Sequence, residues 1–103
     1  MIVRLSSAVV SESSLGEYLE YLERNESPGY EAASGLVCVL VLQRRFVSYV
    51  EVMTLSLWRS EETLKEFVET RSLLNGAQVE HHSVQLEPRI FTVVEFHKCK
   101  EES

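Results

Sequence analysis

His81 and His82 are the side chains of this sequence best suited to move a proton near neutral pH. Adjacent residues point in different directions on either a helix or a strand, and only Glu80 stands beside them, so the pair falls short of a metal-ligand set. What remains for them is general-base chemistry on an acidic hydroxyl such as a phenol. Ser7 interrupts the alternating apolar series Val3, Leu5, Val9. A buried hydroxyl without a partner costs about 1–3 kcal/mol, so Ser7 needs backbone, water or a ligand to bond. Tyr18 lies on the apolar stripe of a helix with Leu15, Leu19 and Leu22, where its hydroxyl can reach into a pocket. Phe67 belongs to the stripe of a later helix and suits either core or pocket wall. Trp58 closes a strand, a place where a large aromatic packs a helix base or touches a ligand. The candidates are therefore His81 and His82 for catalysis, with Ser7, Tyr18, Trp58 and Phe67 for substrate binding. No metal site is expected. His97 reads as a strand-end residue, and the sequence holds no phosphate loop, nucleophile elbow or HExxH.

These residues sit in a chain of 103 with 45% hydrophobic and 25% charged residues, the composition of a folded protein of one domain. Ten basic against sixteen acidic residues give a net charge of −6, which disfavours nucleic acid or an anionic membrane as partner. The longest apolar run, Leu36 to Leu42, is strand-sized and too short to span a bilayer. Arg4 breaks the first apolar run before it reaches signal-peptide length, so a cytoplasmic protein is expected. Cys38 and Cys99 lack CxxC spacing; both read as free thiols, with Cys38 a small buried hydrophobe.

The spacing predicts the elements that must position the candidates. Residues 2–10 form a strand with a greasy odd face and a mixed even face carrying Arg4, Ser6, Ala8 and Val10. Ser14 and Glu17 have capping-box spacing ahead of the first helix, which should end near Arg24-Asn25 because Pro28-Gly29 cannot continue it. The run 36–42, apolar at every position, reads as a strand covered on both faces. Gln43-Arg44-Arg45 interrupts it, and Phe46 to Leu57 returns as the other arm of a hairpin. Ser60 caps a second helix with the stripe Leu64, Phe67, Val68 and a stop at Asn75-Gly76. Ile90 to Phe96 is the last strand, leaving 98–103 as a charged tail after a domain of 1–97. The order βαββαβ predicts an α+β, ferredoxin-like fold, a four-stranded antiparallel sheet with helices on one face. The other face, apolar and bare, calls for a second copy: a homodimer whose joint is argued from the run 36–42 and from the mixed face of Arg4, Ser6, Thr54 and Ser56.

With these residues in view, the chain from 1 to about 97 resembles the antibiotic biosynthesis monooxygenase group of the dimeric α+β barrel superfamily. The resemblance rests on Met1-Ile-Val-Arg-Leu, Glu17-Tyr-Leu-Glu-Tyr-Leu, Pro28-Gly-Tyr and, most specifically, the segment from Val52 through Trp58-Arg-Ser-Glu-Glu-Thr to Phe67. It implies paired sheets and a ligand cleft between helices and sheet. The haem-degrading members place an Asn, a Trp and a ligating His where this chain has about Ser7, Phe67 and Ala77, so no haem or other cofactor is expected. The implied function is a cofactor-independent monooxygenase acting on a small phenol- or quinol-like aromatic compound. The alternative is a non-catalytic homodimer of the same fold that binds a small apolar ligand or fills its cleft with side chains.

Overall fold

The computed structural model describes residues 1–74 and 83–97. Strand β1 (Ile2–Ser11) leads through a 3-10 turn into helix α1 (Leu15–Asn25) and a short helix α2 (Ser27–Ala32). Strands β2 (Leu36–Arg45) and β3 (Tyr49–Trp58), helix α3 (Glu61–Leu74) and strand β4 (Ser83–Thr92) follow. The sheet order is β2-β3-β1-β4 with every neighbour antiparallel. This is the expected α+β, ferredoxin-like arrangement.

Several local expectations are corrected. The first helix begins from Ser11, whose side chain accepts a hydrogen bond from the Ser14 amide, while Ser14 makes no side-chain cap. The inserted 3-10 turn moves the cap upstream. The first helix ends at Asn25 as expected, but helical structure resumes at once: Pro28 occupies the first turn of α2, where its missing N–H costs nothing. Gln43-Arg44-Arg45 stay in β2, because Arg44 lies opposite Glu51 and donates to its carboxylate at 2.7 Å. Strand β4 spans 83–92 rather than 90–96, and Pro88 falls where the β1–β4 register slips between Leu5 and Ser7, the edge-strand irregularity that tolerates proline. Ser60 caps α3 as expected, accepting from the Thr63 amide at 3.3 Å. Gly35 needs its glycine: its φ is 85°, and a Cβ there would stand 2.5 Å from Thr63 Cγ2.

The helices cover the even face of β1. At one end, Ala8 and Val10 meet Val50, Val52 and Tyr18, with Leu15, Leu19 and Leu22 packed around them. At the other, Trp58, Leu64 and Phe67 form a second cluster backed by Ile2, Tyr30 and Val68. Between them, register pairs Arg4 with Ser56 and Ser6 with Thr54. The mixed face assigned to the dimer joint thus lies under the helices, and the greasy odd face is the open one. The strand 36–42 is apolar at every position because Val39 and Val41 border the helix side while Cys38, Leu40 and Leu42 belong to the open side. It is not covered on both faces within one chain. Cys38 is a free thiol, but exposed rather than buried, because it sits on an edge strand whose outer face meets nothing in the single chain.

Candidate functional site

The polar middle of the helix-facing sheet is also where the packing opens. Helices α1 and α2 join at Glu26, and beneath this joint lies a cavity of about 210 Å³. Arg4 and Ser6 of β1, Thr54 of β3 and Gln85 of β4 form its floor; Tyr18, Glu26 and Tyr30 line its helix side. A second cavity of about 300 Å³ adjoins it toward β2, sharing Leu22, Glu26, Tyr30 and Thr54 and adding Val39 and Val41. The local cause is the register of β1 and β3: apolar side chains fill both ends of the helix-facing surface, and polar ones, the short Ser6, Thr54 and Ser56 among them, occupy its centre.

Each wall is held from behind. Tyr18 is buried, its ring 6.2 Å from that of Tyr21, and its hydroxyl accepts from Gln85 Nε2 at 3.4 Å. Tyr30 stacks on Phe67 with ring centroids 5.1 Å apart. Glu26 is a carboxyl residue only 8% exposed, and it borders both cavities. Ser56 is buried beside Arg4 in register; it accepts from Trp58 Nε1 at 2.9 Å and donates to the Arg4 carbonyl at 3.5 Å.

The candidates read from sequence distribute unevenly over this geometry. Ser7 and Tyr18 border the same cavity, Ser7 at the point where the β1–β4 register slips. Phe67 lines a separate cavity of about 470 Å³ between α2 and α3, with Pro28, Gly29 and Ala32 opposite. Trp58 has no exposed surface, and its ring is 4.8 Å from that of Phe67. His81 and His82 lie outside the described residues. Arg4, Glu26, Tyr30, Thr54 and Gln85 were not among the sequence candidates. Among the described residues no group of three His, Cys, Asp or Glu is placed to hold a metal ion, and no helix is long and apolar enough to cross a membrane.

No family model and no curated protein sequence matches the chain. Solved structures do match it over nearly its whole length. A dimeric ferredoxin-like protein from an uncultured marine organism superposes with a TM-score of 0.67 at 17% identity, covering 95% of this chain and 100% of that one. The haem-degrader MhuD of Mycobacterium tuberculosis, with two haems bound in its active site, gives 0.66 at 16% identity over 95% and 100%. SnoaB, a cofactor-independent oxygenase of Streptomyces nogalater, gives 0.59 at 13% identity over 92% and 95%. The chain has the fold of these proteins. At such identities the likeness extends to the fold, and the chemistry must be argued from the residues.

Proposed function

We propose that the chain is a homodimer joined through the open sheet face, and that the cleft beneath the α1–α2 joint makes it a cofactor-independent monooxygenase of a small phenol- or quinol-like compound. The observation that carries the catalytic reading is the composition of the cleft: two tyrosine rings and apolar walls set around one arginine and one buried glutamate. Tyr18, Tyr30 and Leu22 offer ring contacts, while Arg4 suits an oxygen anion. Ser7 and Tyr18 are substrate-contact candidates in this reading, and Phe67 and Trp58 support the wall from behind. The same fold serves a cofactor-independent oxygenase, which supports the assignment.

A quinol needs no external reductant. Quinol plus dioxygen gives hydroxyquinone plus water, the quinol supplying the two electrons that reduce the second oxygen atom. The protein would contribute desolvation, orientation and ionisation of the ring hydroxyl. The test is oxygen uptake by chelator-treated protein with a substituted hydroquinone, followed by mass spectrometry of the product formed under heavy-oxygen-labelled dioxygen. Uptake above the protein-free rate and one labelled atom in the product are expected. Uptake no faster than autoxidation would remove the oxygenase reading. The second reading is a non-catalytic ligand binder, and quinol binding without accelerated uptake would establish it.

A further inference from the structure

We propose that the cavity of about 470 Å³ between α2 and α3 is a second binding site, which takes a primary ammonium carried on a small aryl body. The inference does not rest on the reading of the sheet-side cleft. Two helix faces build this cavity, and their sequences explain why it is open. On α3, Thr63, Glu66, Phe67 and Thr70 follow one another at helical spacing and share one face. Opposite them, α2 and the link after it carry Pro28, Gly29, Ala32 and Ala33, side chains too small to fill the space. Gly29 lets the backbone of α2 approach α3, since a Cβ there would stand 3.6 Å from Phe67 Cε1. A cavity of this size, with apolar walls and a few polar groups, suits a small molecule.

The polar groups of the wall select the ligand. Asn25 Nδ2 donates to the Tyr21 carbonyl at 3.1 Å, leaving Oδ1 as its acceptor. Thr63 Oγ1 already donates to the Ser60 carbonyl at 2.9 Å, so toward a ligand it can only accept. Glu66 adds a carboxylate, again an acceptor, that no described residue engages. The described lining holds no Lys, Arg or His. The cavity therefore offers acceptors and negative charge, and the chain's net charge of −6 adds to the pull on a cation. An ammonium group brings three donors and one positive charge. A carboxylate ligand would meet acceptors and like charge, and an alcohol brings one donor and no charge. The apolar end selects the body. Phe67 stacks on Tyr30 and packs on Trp58, and it turns a ring edge, Cε1, toward Gly29. An aryl ring meets such an edge with its face, and Pro28 and Ala32 complete that end.

The experiment is amide chemical-shift titration of the full-length protein near neutral pH with three probes of one body: phenylbutylamine, which is protonated there, phenylbutanol and phenylbutyrate. The ammonium should shift Gly29, Ser34 and Thr63 saturably and bind at least about fivefold more tightly than the alcohol, with the carboxylate weakest. Glu66→Gln should cut the ammonium's advantage at least about threefold and leave the alcohol's affinity unchanged, a split that a loss of cavity shape would not produce. Ala32→Phe, which fills the space, should abolish binding of ammonium and alcohol alike. Glu66 is exposed, so its variant folds and decides the matter even where circular dichroism shows Ala32→Phe unfolded. Equal affinity for ammonium and alcohol, an ammonium affinity unchanged in Glu66→Gln, or shifts that avoid Gly29 and Thr63 overturn the inference. So does binding that survives Ala32→Phe in the folded variant, or no saturable shift with any of the probes.

Discussion

Replacing Trp58 with alanine is expected to cost about 3–5 kcal/mol of folding stability, the range for truncating a fully buried large aromatic. Trp58 has no exposed surface, packs on Phe67 and, with Leu64, forms the cluster that fastens α3 to the sheet. The substitution also takes away the indole N–H that Ser56 accepts, leaving a buried hydroxyl with one partner fewer. Against a total of about 5–15 kcal/mol for a domain of this kind, the loss is large enough to unfold a sizeable fraction at physiological temperature. Denaturant melts at matched protein concentration are the measurement, because the proposed dimer would add a concentration-dependent part to apparent stability. A loss below about 1 kcal/mol would show that the aromatic cluster is peripheral to the fold.

Leu40→Asp and Val84→Asp, singly, are expected to convert a dimer into a monomer without unfolding it. Both residues lie on the uncovered side of the sheet, Leu40 at 51% and Val84 at 63% exposure in the single chain, so neither supports the helix-side core. Around them Leu42 and Phe91 are also exposed, making an apolar surface that crosses the sheet from β2 to β4. Soluble monomers rarely leave such a contiguous patch open, and two copies of a flat face satisfy each other by two-fold symmetry. A charge placed in that joint would have to be buried unpaired. Sedimentation at about 10 μM should show dimer for the wild type and monomer for both variants, a Kd near 1 μM being tight enough to separate them. Wild-type monomer under those conditions, or variants that dimerise as wild type does, would place the joint elsewhere.

The order of the four strands and two main helices was legible because it depends on periodicity alone. Helix stripes, the Ser60 cap and the two-residue repeat of β1 each report a local environment that tertiary packing then respects. The parity of the sheet was misread for a physical reason. Arg4, Ser6, Thr54 and Ser56 look like a surface, and a polar surface under helices makes sense only when a cavity lies there. Arg4 was the available signal: a charge sharing one face with Ala8 and Val10, both buried, marks a polar site within a core-facing strand. Glu26 gave no such signal, since a glutamate just after a helix reads as solvated until α2 folds back and encloses it. Pro28 concealed α2 itself, because a proline that cannot continue one helix fits the first turn of the next. Cys38 shows the limit of reading burial from apolar neighbours on an edge strand, whose outer face nothing in the same chain covers.

The most direct test of the account is where a small ring hydroxyl compound lands on the protein. Amide chemical-shift mapping of the labelled protein, titrated with a substituted hydroquinone under nitrogen, should move Ser6, Leu22, Glu26 and Thr54, the residues that frame the cleft on both its sheet and its helix sides. Leu40 and Val84, on the opposite face of the sheet, should stay in place. Shifts confined to Leu40, Leu42 and Val84, or no saturable shift at Glu26 and Thr54, would contradict the assignment of the helix–sheet cleft as the functional site.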